Sequence, residues 1–161
     1  EKARIILRRI MWNLNDESGG IGWGSPEAMG EILSKSPSLA REFKSILFSY
    51  LDHRGNHIEH EMLQRGVLWG IGTYLGAAPN DLTDVTREQL QEHFSSKDPV
   101  KCGYAIRALS NAHVFECMIL PDVIQADKTT INIYTGWNFT PTRISDMIHA
   151  CTPEQVLAGN E

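Results

Sequence analysis

A chain of 161 residues, 42% hydrophobic and 22% charged, is long enough to bury roughly two thirds of its unfolded surface in one core, so neither metal nor disulfide is required to hold it. A net charge of −5 argues against an affinity built on neutralising many phosphates. Cys102, Cys117 and Cys151 form no CxxC spacing and point to a reducing cytosol. No apolar run reaches the roughly 18 residues of a membrane span and no signal-peptide pattern opens the chain, so the expectation is a cytoplasmic protein without membrane contact, its first residue Glu1 leaving an upstream segment open.

In chain order, Ala3, Ile6, Leu7, Ile10, Met11 and Leu14 recur at three and four and predict an amphipathic helix, with Arg4, Arg8 and Arg9 on its other side. "SGGIGWGSPEAMGEI" follows, a glycine-rich turn that becomes helical, with Ala28, Met29, Ile32 and Leu33 toward a core. Pro26 in that pattern predicts a restart of the helix, with Ser25 as N-cap and Pro26 in its first position. Ser36-Pro37 opens the next helix, about Ser38 to Leu51, and the turn around Gly55 ends it. From His57 to Leu75 a long helix is predicted, apolar almost all round in "VLWGIGTYL" and therefore buried on most sides. A shorter helix spans about Val85 to Phe94, and Asp98-Pro99 starts another. "TTINIYTGWNFTPT" alternates around Gly136 and reads as a hairpin, "RISDMIHAC" returns to helical spacing, and Thr152, Pro153 and Gln155 outline a last short capped helix.

The six helices fall into three pairs that repeat. Setting Ile21 beside Leu63 and Val100 brings Ala28 beside Gly70, Met29 beside Ile71 and Gly30 beside Gly72; Ala108 follows with a one-residue slip, giving offsets of 42 and then 37 or 38 residues. Leu14, Asp16, Ile21, Ala28, Met29, Gly30 and Ile32 lie without a gap on the pattern Leu-x-Asp, Val-Arg, Ala-Leu-Gly-x-Ile, and so the stretch resembles the bilin-lyase-type HEAT-like repeat. "DPVK" at Asp98 resembles the opening of another, one residue shorter. The resemblance covers about residues 1–113 and implies an all-α, α-α superhelix, a HEAT-like solenoid of about three helical pairs (about 1–35, 38–76 and 84–113). A C-terminal cap with a β-hairpin and helix, about 119–161, completes one domain of 1–161. The pattern's arginine is replaced by Gly22.

Several chemistries could in principle use these residues. "GGIGWG" is not a phosphate loop, because no lysine with Ser or Thr follows, the glycine spacing is not Gly-x-Gly-x-x-Gly, and a helix precedes it. His57, His60 and Glu61, three and four apart, would converge on one metal if a helix began by His57, an alternative that resembles the His-Glu pairs of deoxyhypusine hydroxylase; only one such pair is present, and a solvated first turn with acids near its positive end is the favoured reading. His93, His113 and His149 have no partner spacing. A nucleic-acid role, as in DNA-alkylation-repeat glycosylases, would need Arg4, Arg8, Arg9, Arg65, Lys101 and Arg107 to converge in a basic groove, against the acidic balance of the chain.

In the repeat register Glu27, Trp69 and Arg107 occupy one position and form a row across the concave face if the second helix of each pair lines it. Aromatic and arginine side chains there are suited to a binding hot spot, while the apolar surroundings of Trp69 favour a core role for it. Trp12 lies off its helix's stripe, either covering an upstream segment or exposed. Trp23 is either an anchor held out by the loop or a lid on the core, with Asp16 and Glu17 as an acidic rim. The expectation is a non-catalytic scaffold or adaptor without cofactor, binding a protein partner through Asp16, Glu17, Trp23, Glu27, Trp69 and Arg107, within a bacterial assembly.

Overall fold

The computed structural model describes residues 1–15, 22–114, 128–135 and 137–149, and in these the chain is mostly helical with a small antiparallel two-stranded sheet. Helix α1 (Lys2–Asn15) buries Leu7 and Ile10. Ile6, expected inside, is 50% exposed, because α1 meets its neighbour along a narrow strip and leaves Ile5, Ile6 and Trp12 in solvent. Helix α2 (Ser25–Lys35) begins one residue before the expected position. Gly24, at φ 74°, is its N-cap in place of Ser25, and glycine takes this left-handed turn without the steric penalty of a Cβ. Pro26 then falls in the first turn, where its missing N–H is not needed.

Helix α3 (Pro37–Ser49) follows Ser36 in extended backbone and buries Leu39, Ala40, Phe43 and Leu47. Helix α4 (Glu61–Ala77) starts later than the His57 expected from its pattern. Ile58 is responsible: it is buried, and its N–H donates to the carbonyl of Tyr50 (3.2 Å), which holds the approach to His60 extended against the end of α3. After a 3-10 turn at Pro79–Asp81, helix α5 (Asp84–Glu92) is capped by Thr83, whose Oγ1 accepts from the Thr86 N–H (3.1 Å). A second 3-10 turn (His93–Ser95) leads to helix α6 (Pro99–Asn111), where Asp98 Oδ1 accepts from the Val100 N–H (3.0 Å).

Helices α2, α4 and α6 lie side by side, α4 in the middle, and their contacts are the most extensive in the fold; α1 and α3 pack against α2, and α5 against α6. Small residues permit the close approach. A Cβ on Gly30 would lie 2.5 Å from the Cα of Gly70, and one on Gly70 would lie 2.5 Å from the carbonyl oxygen of Pro26. At the next junction a Cβ on Gly72 would lie 3.1 Å from the Cα of Ala108. Met29 and Leu33 point into the core as expected, whereas Ala28 is exposed, because Gly30 rather than Ala28 is the residue of α2 pressed on α4.

Strands β1 (Thr130–Thr135) and β2 (Asn138–Arg143) pair antiparallel, with Thr135 opposite Asn138 and Tyr134 opposite Phe139. Trp137 sits in the turn at φ 70°. Helix α7 (Ile144–His149) continues directly from β2. The hairpin is fastened to α6: Ile131 fills the space that a Cβ on Gly103 would need, Ile144 is fully buried beside it, and Tyr104 Oη donates to the carbonyl of Asn132 (3.3 Å). The capped helix expected at Thr152 lies outside the described residues, as do Asp16, Glu17, Cys117 and Cys151.

Candidate binding site

The close packing of α2, α4 and α6 brings Glu27, Trp69 and residues of α6 onto one face, and the hairpin leans over that face. Between them lies a pocket of about 310 Å³ lined by Glu27, Ala28, Glu31, Trp69, Tyr104, Tyr134 and Phe139. Its size falls at the lower end for small-ligand sites. Trp69 is only 5% exposed, so it is at once a core residue and the floor of the pocket. Tyr134 stands 6.3 Å from the Trp69 ring, and Phe139 stands 5.3 Å from Tyr134 and is 69% exposed at the mouth.

Arg107 lies over the Trp69 ring at 5.0 Å, donates to the Trp69 carbonyl (3.2 Å) and donates to Thr73 Oγ1 (3.1 Å). Burial lowers its pKa, and the neighbouring Tyr104 and Glu31 act in the opposite direction. The row Glu27, Trp69, Arg107 is thus brought together, with Arg107 locking α6 to α4 rather than lining the pocket. The charges that do line it are the carboxylates Glu27 and Glu31, one turn apart on α2.

Glu27 is half-buried against α4, where glycine at 66 makes room: a Cβ there would lie 2.5 Å from Glu27 Oε2. Oε2 and the Trp69 indole Nε1 are both buried without a hydrogen-bond partner, a condition that costs about 1–3 kcal/mol per group. Burial raises the pKa of Glu27, opposed by its own backbone N–H, and burial also raises that of Tyr104. Tyr50 Oη, in the core away from the pocket, is also buried without a partner, but only here do two unpartnered polar groups adjoin one hollow, the kind of local departure that functional sites display.

Trp23 is separate from this pocket. It is 58% exposed and meets His60 edge to face at 5.4 Å, so the glycine-rich turn rests against the start of α4. His57, His60 and Glu61 do not converge. The helix begins at Glu61, so the three residues do not share its face, and each has another partner. Gln64 Oε1 accepts from Lys101 Nζ (2.9 Å), leaving Gln64 Nε2 to donate to His57 Nε2 (3.0 Å). That bond places the His57 proton on Nδ1, facing the Leu51 carbonyl at 3.4 Å, and occupies the lone pair a metal would need. Glu61 pairs with Lys101 (2.9 Å). Among the described residues no three His, Cys, Asp or Glu side chains are grouped to hold a metal ion.

The basic residues are likewise distributed. Arg4 pairs with Glu1 and Glu42, Arg65 with Asp98 (2.7 Å) and Lys101 with Glu61, while Arg8 and Arg9 are exposed on α1. Arg65, Glu61, Lys97, Asp98 and Lys101 border a second, more open hollow of about 440 Å³ whose charges are largely mutually paired. It ties α4 to α6. No helix among the described residues is long and apolar enough to cross a membrane.

Sequence reasoning missed Tyr104, Tyr134, Phe139 and Glu31. A signal for three of them existed: Tyr134 and Phe139 are equidistant from the centre of a two-residue turn, and Tyr104 precedes Arg107 by one helical turn.

A protein of Archaeoglobus fulgidus, described as an uncharacterized protein, is 26% identical over 155 residues, covering 92% of this chain and 77% of its own length. No family model and no solved structure matches the chain.

Proposed function

We propose that this chain is a non-catalytic adaptor that binds a protein partner across the face formed by α2, α4, α6 and the hairpin. The observation that carries the reading is the aromatic pocket on that face, floored by Trp69 and open beside Phe139. Aromatic side chains gathered around a desolvated hollow are what interface hot spots require. Its lining holds two carboxylates and no nucleophile paired with a base, which favours binding over catalysis.

On this reading α2, α4 and α6 are the second helices of three HEAT-like pairs, stacked as a solenoid. Support comes from the recurrence of one contact: Gly30 meets Gly70, and Gly72, its counterpart in the repeat register, meets Ala108, the counterpart of Gly70. The test is site-specific photocrosslinking in the native host, with a photoreactive residue at Phe139 and a control at exposed Arg41 on α3. One protein should be captured from position 139 and not from 41, and Phe139→Ala should weaken its binding at least tenfold. Equal binding by Phe139→Ala would refute the reading.

A further inference from the structure

The pocket's chemistry identifies what it is built to hold. Its lining charges are both negative, Glu27 and Glu31, and its walls are the rings of Trp69, Tyr104, Tyr134 and Phe139. Phosphates and carboxylates are repelled by the two acids. A neutral apolar group would satisfy the rings but leave the carboxylate of Glu27 desolvated beside it. A cation meets both demands, since ring faces carry negative quadrupole density and bring no desolvation penalty of their own. The Trp69 ring already accepts one cation, the Arg107 guanidinium at 5.0 Å.

The kind of cation follows from the hydrogen-bond inventory. A bare ammonium carries three strong donors and keeps its water unless several acceptors replace it. Of the acceptors in the lining, the Glu27 carboxylate is packed against Gly66, Glu31 is exposed and the Tyr104 oxygen is engaged with Asn132, so the aromatic rings rather than converging acceptors dominate the walls. A methylated ammonium spreads its charge over methyl groups and has few or no donors to satisfy, which is what aromatic cages recognise. The mouth fixes how the cation arrives. Phe139 lines the pocket yet is 69% exposed, and Trp137 in the adjoining turn is 91% exposed, so one side stays open for a chain carrying the cation.

We infer that this pocket is a cage for the methylated ammonium of a lysine side chain on a protein partner, with Glu27 and Glu31 as counter-charges and Trp69, Tyr104, Tyr134 and Phe139 as walls. The inference rests on the reading of this face as the partner-binding face. It adds that a methylated lysine is the anchor.

The experiment titrates the full chain with four probes, followed by Trp and Tyr side-chain resonances. They are a short peptide bearing trimethyllysine, the same peptide with its neutral tert-butyl isostere, the same peptide with unmodified lysine, and choline. The trimethyllysine peptide should shift the signals of Trp69, Tyr104 and Tyr134 and bind at least tenfold more tightly than each of the other three. Glu27→Gln should reduce its affinity at least tenfold while leaving the chain folded, because the substitution removes a desolvated charge rather than a packing group.

Equal binding of the isostere, or an unchanged Glu27→Gln, overturns the cation cage; choline bound as tightly as the peptide reassigns it to a free cation and overturns the side-chain assignment. If the peptide fails while partner capture still depends on Phe139, the cage alone falls. If capture is indifferent to Phe139, the partner-binding face falls with it.

Discussion

Gly30→Ala tests the packing on which the site is built. The added Cβ would lie 2.5 Å from the Cα of Gly70 and closer still to its carbonyl oxygen, so α2 and α4 must separate by more than about 0.5 Å to reach the 3.0 Å below which such contacts essentially never occur. The obstacle is backbone and cannot rotate away. Overpacking of this kind costs about 1–3 kcal/mol, and the upper end applies because the displaced partner is a whole helix. Alanine returns about 1 kcal/mol through its better helix propensity. The net loss is about 2 kcal/mol, or about 4–8 °C in Tm for a chain of this length. Gly76→Ala is the matched control, since its Cβ would meet Asn111 no closer than 3.5 Å and the site is exposed. It should be neutral or stabilising by up to about 1 kcal/mol. Urea unfolding followed by helical circular dichroism measures both. Equal stability of Gly30→Ala and wild type, or an equal loss in Gly76→Ala, would refute the close-packing argument.

Three further outcomes are expected. Burial, with Lys101, His53 and His57 nearby, lowers the pKa of His93 to about 4 from an ordinary 6.5, so the unfolded chain takes its proton first; stability should fall by roughly 2–3 kcal/mol as pH drops from about 6.5 to 4, and His93→Gln should flatten that window in denaturant titrations. Although burial opposes it, the bonds from Arg65 and the Val100 N–H hold the Asp98 pKa below its usual value, so its contribution is present above about pH 4 and is lost as pH falls through the lowered pKa; Asp98→Ala, which also removes the cap of α6, should cost about 2 kcal/mol at pH 7 by urea unfolding. Trp69→Ala, removing a nearly buried ring and the seat of Arg107, should cost about 3–5 kcal/mol in the same assay, whereas Trp23→Ala should change stability by less than about 1 kcal/mol.

The parts legible in the sequence are those governed by neighbouring residues. Ser36-Pro37 and Asp98-Pro99 start helices because a proline acts within the first turn, joined at Asp98 by a side-chain cap, and the hairpin shows through its alternation and turn. The start of α4 was hidden because Ile58 answers to Tyr50, a contact between segments that helical spacing does not encode. The same limit governed the pocket. Glu27 and Trp69 emerge from comparing repeats, but the closing wall comes from a hairpin in another part of the chain, and its position depends on Ile131 finding Gly103. Metal convergence of His57, His60 and Glu61 failed on the same backbone detail that delayed α4.

The joint between Ile131 and Gly103 makes the pocket conditional. Trp69 and Tyr104 belong to the helical layer, but Tyr134 and Phe139 arrive only when the hairpin is docked on α6. Ligand affinity therefore carries the docking equilibrium as a multiplier: a substitution that leaves the hairpin docked one tenth of the time weakens binding about tenfold without touching a lining residue. Gly103→Ala is such a lever, and hydrogen exchange in β1 and β2, faster there than in α4, would report its setting directly.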